Sequence, residues 1–205
     1  MTRAVETGTS YGNSTATLAA IFPEVITIEL SPELHAAAVQ RFAENPRVTA
    51  VHGESGVELA RYVDSRVPTV YYLDAHWCYG DSAGEEIDCP IRDELRALSN
   101  GNQEDCVVID DARLFRNPPP GRNAAKWPPL EELAEILAGN YPEHSVSVVD
   151  DQVIAAPPRA RLIVEAWEKM AAGDKRPVRA HLWRLRPARL RWRLRSPLAG
   201  GGQRL

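Results

Sequence analysis

The chain has 205 residues, 44% hydrophobic and 25% charged, which suits one folded domain with a full core and excludes a disordered or fibrous polypeptide. No apolar run reaches the ~20 residues of a transmembrane helix, and the N-terminus lacks the charged-then-apolar pattern of a secretory signal, so the expected setting is cytoplasmic. The net charge of −4 conceals an asymmetry: residues 175–205 hold ten of the 24 Lys/Arg and none of the 28 acids, so the rest, with 14 bases, carries −14.

The elements alternate along the chain as in a parallel α/β sheet. Arg3–Glu6 reads as a first strand. The run from Val5 to Thr15 then turns through Gly8 and Gly12 into a helix over Ser14–Phe22, with Asn13, Ser14 and Thr15 supplying N-cap chemistry. A helix N-terminus behind a Gly-rich turn offers free N–H groups and a positive dipole end to an anionic group. Val25–Glu29 is a second strand ending in a carboxylate about 20 residues beyond the glycines, the spacing at which an acid accepts from ribose hydroxyls. The bland alternative for Glu29 is a solvated strand-end charge.

Ser31 as N-cap and Pro32 at the first helical position start a helix that runs to about Glu44, stopped by Asn45-Pro46. Strands follow at Val48–His52, Thr69–Leu73 and Cys106–Ile109, with helices over Glu54–Tyr62, Cys89–Leu98 and Leu130–Leu137. Ser145–Val149 and Gln152–Ala156 flank Asp150-Asp151 as an antiparallel hairpin. Ala160–Ala172 reads as a helix with Leu162, Ile163, Ala166, Trp167 and Met170 on the face that packs on the sheet. The three cysteines argue against a disulfide framework, and Cys106 is expected in the core.

Glu6-x-Gly8-x-Ser10-x-Gly12 resembles the E/D-x-G-x-G-x-G motif of class I S-adenosylmethionine (SAM)-dependent methyltransferases, with Ser10 at the middle glycine, and Glu29 matches their ribose-binding acid. The G-x-G-x-x-G of dehydrogenases is absent. The resemblance spans roughly residues 4–156. It implies a doubly wound, Rossmann-like, mixed seven-stranded α/β sheet closed by an antiparallel hairpin. It divides the chain into a SAM-binding domain over 1–158, a packing helix over 159–173 and a basic tail over 174–205. It also implies SAM as cofactor, held by Glu6, Gly8, Ser10, Gly12, Asn13, Ser14, Glu29, Glu54, Ser55 and Asp74. For Glu54, helix-N-terminal charge is an equal alternative to a place near the adenine. The chain begins almost at strand one, where proteins it resembles carry a helical region, so a truncated or minimal version is expected.

Strands four and five end in Asp74 and in Asp110-Asp111. Three carboxylates at neighbouring strand ends repel and raise one another's pKa unless a cation neutralises them. Hard oxygen ligands favour Mg²⁺ or a similar divalent ion. The arrangement resembles metal-dependent O-methyltransferases of the catechol and macrolide-sugar types, with Asp74, Asp110 and Asp111 as the implied ligands. The alternative is that Asp110 or Asp111 merely caps a turn. His76, two residues past Asp74, is the candidate general base; Asp74 shares that role if no metal binds. The alternative for His76 is a loop histidine that hydrogen-bonds or stacks, and Trp77 reads as a pocket wall. A rival zinc site would use His76, Cys78 and Cys89. The loop Tyr79–Asp88 reads as a substrate-side lid.

After strand five, Arg113, Arg122 and Lys126 are candidates for an anionic acceptor, and Trp127 or Phe115 for stacking on a ring; a solvated proline-rich connector is the alternative. The tail mixes Arg with Leu and Trp, which suits RNA, a membrane interface or an acidic partner. Its bland reading is an extension that pairs with the acidic body of its own or another subunit, in a homo-oligomer. Two function classes follow: a SAM-dependent O-methyltransferase of a small hydroxylated or glycosylated metabolite, or a non-catalytic methyltransferase-like binding protein whose tail meets an anionic partner or RNA. No N-P-P-Y or D-P-P-Y follows strand four, which disfavours amino-group methylation of bases.

Overall fold

A computed structural model of the chain describes residues 1–76 and 88–173. The expectations for Trp77, Cys78, the 79–87 part of the lid and the tail 174–205 lie outside the described residues. Seven strands form one sheet: β1 (Arg3–Thr7), β2 (Glu24–Glu29), β3 (Val48–His52), β4 (Thr69–Leu73), β5 (Cys106–Ile109), β6 (Ser145–Val149) and β7 (Gln152–Ala156). Their order is β3-β2-β1-β4-β5-β7-β6, parallel except for β7, which runs antiparallel to both its neighbours. The order reverses between β1 and β4, and a ligand crevice is expected beyond the carboxyl ends there. Register makes that crevice chemical. Thr7 pairs with Leu73 and Leu73 with Ile109, so Gly8, Asp74 and Asp110 leave the sheet in one row.

The strand period of two sorts the core. Val5, Ile28, Leu73 and Ile109 face one side, where they pack with Ile91 and Leu95 of α4 (Ile91–Ala97) and Leu133 and Leu137 of α6 (Leu130–Asn140). On the other side Ala4 and Val25 meet Ala19 of α1 (Asn13–Ile21), and Ile154 and Ala156 meet Val164 of α7 (Arg161–Ala171). The remaining helices are α2 (Pro32–Arg41), α3 (Ser55–Glu58) and the short α5 (Ala112–Arg116). Among the described residues no helix is long and apolar enough to cross a membrane.

β3 to β7 keep their expected limits, and several helix ends do not. The expected Glu54–Tyr62 helix is α3 continued by a 3₁₀ segment at Leu59–Tyr62. The expected Cys89–Leu98 helix starts at Ile91, with Pro90 at its N-cap. α2 ends at Arg41, but its start is as read: Ser31 Oγ accepts the Leu34 N–H at 3.2 Å with Pro32 at the first position. Cys106 is half-buried, facing the α7 side of the sheet.

The expected face of α7 needs correction. Val164 and Ala166 are buried and Trp167 half-buried against β5–β7, whereas Leu162, Ile163 and Met170 are exposed. The apolar residues of this helix cover a wider arc than a helix can bury on one sheet, and the sheet takes only one edge of it.

Candidate functional site

The turn after β1 is built by backbone conformation. Gly8 has φ +81° and its N–H bonds the Ile28 carbonyl at 2.9 Å; a Cβ there would stand 2.2 Å from the Asp74 carbonyl oxygen. Gly8 therefore lets the β1 turn lie directly against the β4 loop. Gly12, at φ +75°, is the N-cap of α1, and a Cβ would press on the Phe42 ring at 2.9 Å. Ser10 also has positive φ, +48°, so the serine adopts the left-handed conformation at the position where the resembled motif has glycine.

Two acids frame this turn. Glu6 is fully buried on the α1 side of β1, and the Thr15 and Thr27 hydroxyls donate to its Oε2 at 2.5 and 2.6 Å. Its Oε1 has no partner. Burial raises its pKa, opposed by the hydroxyls of Ser14, Thr15 and Thr27. Glu29, also buried, accepts the Ser10 N–H at 2.8 Å and the Ser31 N–H at 2.9 Å, one on each oxygen, and keeps a lone pair on each for another donor. Asn13 is exposed and accepts from Arg41 at 3.1 Å. Ser55 is buried at the first position of α3, while the Glu54 side chain is exposed beside it.

The second half of the site sits at the ends of β4 and β5. Asp74, His76 and Asp111 each offer a ligand atom, all within 4.8 Å of one another. His76 Nε2 lies 2.9 Å from Asp111 Oδ2, and its Nδ1 lies 3.7 Å from Asp74 Oδ1. The imidazole is buried, with Phe115 and Trp127 edge-on at 6.3 and 5.6 Å between centroids. Burial pushes the Asp74 carboxyl up to about 7; His76 opposes the shift and the charges of Asp110, Asp111 and Glu6 add to it. Asp111 is held below the ordinary carboxylate range by its bond to His76 and by Arg113.

The implied ligand set changes in one member. Asp110 does not join the cluster: its Oδ2 accepts the Tyr72 hydroxyl and its Oδ1 the Asp111 N–H at 2.9 Å. Of the adjacent pair, Asp111 faces His76, because its φ of +55° turns the chain immediately after Asp110. Among the described residues this Asp–His–Asp group is the one with metal-ligand spacing. Cys89 is not part of it; its thiol is buried and pushed up to about 12, far from a thiolate ligand.

The loop after β5 also differs from expectation. Arg113 is paired with Asp111 and Asp151, and Arg122 with Asp88 at 3.1 Å. Phe115 and Trp127 are buried in the core against His76 rather than open to a ring. Glu94 went unread. It lies 1% exposed beneath the site with one oxygen unpartnered; burial raises its pKa, while the Ser55 and Thr7 hydroxyls favour its charged form. Its signal was an acid inside the apolar stripe of Ile91, Leu95 and Leu98, where helix-first-turn charge is the default explanation.

No family model and no curated protein matches the sequence. Solved structures do match. A candidate methyltransferase from Streptococcus mutans in complex with SAH aligns with TM-score 0.56 at 10% identity, covering 76% of this chain and 88% of that one. A candidate rRNA methylase from Clostridium thermocellum aligns with TM-score 0.54 at 16% identity over 75% and 86% of the two chains. A candidate O-methyltransferase from Klebsiella pneumoniae gives 0.51 at 17% over 76% and 73%. The fold is the class I methyltransferase fold. At the β1/β4 reversal of this sheet, Gly8 and the Asp74–His76–Asp111 cluster lie just beyond the carboxyl ends of the strands.

Proposed function

We propose that this chain is a SAM-dependent methyltransferase that methylates a hydroxyl of a small hydroxylated or glycosylated metabolite in the cytoplasm, assisted by a divalent cation such as Mg²⁺. The observation that carries the reading is the convergence, at one strand-order reversal, of the Gly8–Gly12 turn with the Asp74–His76–Asp111 cluster. The residues fit both absent groups. Glu6 has one buried oxygen outside its bonds to Thr15 and Thr27, which suits a donor such as a positively charged amino group. Two half-buried carboxylates packed around one imidazole suit a cation, which would offset the burial that disfavours the charged form of Asp74.

Bound SAM supplies an electrophilic methyl on a sulfonium, and a divalent ion supplies the charge that acidifies an acceptor hydroxyl. The chain's own residues do the rest. Glu29 accepts from the ribose hydroxyls while its bonds to Ser10 and Ser31 keep it oriented. Glu54 and Ser55 would border the base, and Gly8, with no Cβ, would let the cofactor approach the turn. Asp74, His76 and Asp111 are the residues that would hold the ion, and alignment of acceptor and methyl would provide most of the acceleration.

A second reading has its own observation. The 2.9 Å contact of His76 Nε2 with Asp111 is also the arrangement of a general base oriented by a carboxylate. In that reading His76 Nδ1 takes the hydroxyl proton and no metal is needed.

Calorimetric titration with SAM, followed by transfer of labelled methyl to pooled hydroxylated and glycosylated acceptors with Mg²⁺ or with chelator, tests the proposal. The expected result is saturable SAM binding and Mg²⁺-dependent transfer. Failure to bind SAM overturns it, binding without transfer favours a non-catalytic methyltransferase-like protein, and chelator-indifferent transfer favours the His76 base.

A further inference from the structure

We infer that Asp151, in the turn of the β6–β7 hairpin, is a positioning residue for Asp111; the inference rests on the reading of Asp111 as part of the reactive cluster. Asp111 stands at the N-cap of α5 with φ 55° and ψ 47°, yet its side chain makes no capping bond. An N-cap Asp of extended backbone turns back on the N–H groups of its own helix, whereas the left-handed backbone of Asp111 carries its side chain elsewhere. Here Asp151 supplies what Asp111 withholds. The Asp151 carbonyl accepts the Ala112 N–H at 2.7 Å, and its Oδ1 accepts the Arg113 N–H at 2.7 Å. Its Oδ2 pairs with the Arg113 guanidinium, which also holds Asp111 Oδ1.

The consequence is geometric. The first N–H groups of α5 are satisfied from a neighbouring hairpin, so the Asp111 carboxylate is released from capping. One of its oxygens is tied to Arg113 and the other faces His76 Nε2 at 2.9 Å. The hairpin turn is shaped for this. Asp150 and Asp151 both have positive φ, 46° and 66°, as a two-residue hairpin of the primed type requires. Asparagine and glycine serve such a turn with less strain than two aspartates, so turn formation alone does not explain a carboxylate at 151. The turn is itself anchored, since Trp167 of α7 donates to Asp150 Oδ2 at 2.6 Å. Bonds thus run from α7 through the hairpin and α5 to His76.

Asp151→Gly separates the carboxylate from the turn, because glycine adopts the same positive φ without cost. Asp150→Gly makes the same backbone change one residue earlier and gives up the Trp167 bond, but spares every contact of Asp151 to α5. The expected crystal structure of Asp151→Gly has Asp111 turned away from His76, beyond hydrogen-bond distance. Mn²⁺ affinity is expected to fall by about 10–100-fold, the usual cost of losing a partner that orients a metal ligand. Asp151→Asn, which keeps an acceptor for the Arg113 N–H, should recover much of that loss, and Asp150→Gly should bind Mn²⁺ within about twofold of wild type. Arg113→Met tests the same link from the other side. An Asp111–His76 contact kept at its original length in both Asp151→Gly and Arg113→Met overturns the inference. If the wild-type protein binds no Mn²⁺, the metal reading fails, while the two crystal structures still decide whether Asp151 positions Asp111.

Discussion

His76 Nε2 and Asp111 Oδ2 lie 2.9 Å apart although 35 residues separate them in the chain. The contact joins the loops after β4 and β5, and of the adjacent pair it is Asp111, not Asp110, that reaches His76. Asp110 is committed to the Tyr72 hydroxyl and to the Asp111 N–H. Substitution should therefore discriminate between neighbours. Asp111→Ala is expected to lower methyl transfer by at least about 10²-fold, the low end for a lost acid–base or ligand contact, with SAM affinity preserved. Asp110→Asn keeps an acceptor for Tyr72 and should cost less. Equal losses in steady-state transfer would show that both carboxylates touch the reacting groups.

Chelation separates the two chemical readings. With a cation at Asp74, His76 and Asp111, chelator should abolish transfer and added Mg²⁺ restore it, and His76→Ala should be partly compensated by higher Mg²⁺. If transfer is indifferent to chelator, His76 acts as the base, and His76→Ala should cost roughly 10²–10⁴-fold at any Mg²⁺ concentration.

Glu29 carries a prediction for the cofactor. Glu29→Ala removes the acceptor for ribose hydroxyls, and charge-assisted bonds of this kind are worth about 1.5–3 kcal/mol, so SAM affinity should fall roughly 10–100-fold. The same change leaves the Ser10 and Ser31 N–H groups without acceptors, so thermal stability should fall too. Glu29→Gln keeps an acceptor oxygen and should restore more stability than affinity. Unchanged calorimetric affinity in a folded Glu29→Ala protein would remove Glu29 from the cofactor site.

Much of this was legible in the residues, for physical reasons. β3 to β7 announced themselves because apolar β-branched runs bounded by Gly, Pro and Asp have few alternatives. Ser31-Pro32 set the start of α2 because an N-cap hydroxyl and a fixed proline φ agree. Gly8 and Glu29 stood out because a close backbone approach and a strand-end acid leave marks at fixed spacing. The partners of Asp111 left no such mark. Which of Asp110 and Asp111 faces His76 depends on one left-handed residue, and the capping of α5 by Asp151 depends on where a hairpin packs. The exposed part of α7 was equally unreadable, since periodicity reports how wide an apolar arc is and not how much of it a sheet covers.

Removal of residues 174–205 should leave cooperative unfolding intact. The three core clusters are all assembled from residues between Ala4 and Trp167. Circular dichroism of a 1–173 protein should show one sharp thermal transition and unchanged SAM affinity. A broad, non-cooperative melt would mean that the tail contributes to the fold. Any RNA binding by the full chain should weaken steeply with salt and vanish with the tail.

Asp105, at the opposite end of the sheet from the crevice, makes stability depend on pH. It is fully buried and accepts the Thr69 N–H at 2.7 Å, the Asn102 N–H at 2.8 Å and the Tyr141 hydroxyl at 3.4 Å. Burial outweighs these bonds and pushes its carboxyl up to about 6 from an ordinary 3.8. The sign follows from linkage. Between those values the folded chain keeps a proton that the unfolded chain has released, so stability falls as pH rises through this window and the loss is complete above the folded pKa. Asp105→Asn removes this titration and leaves every other carboxylate in place. The stability of wild type relative to Asp105→Asn, from urea unfolding, should therefore drop by about 2 kcal/mol between about pH 4.5 and 7.5. A difference that stays constant across that range would show that the backbone N–H groups hold Asp105 charged in the fold, and a difference that grows with pH would reverse the assignment.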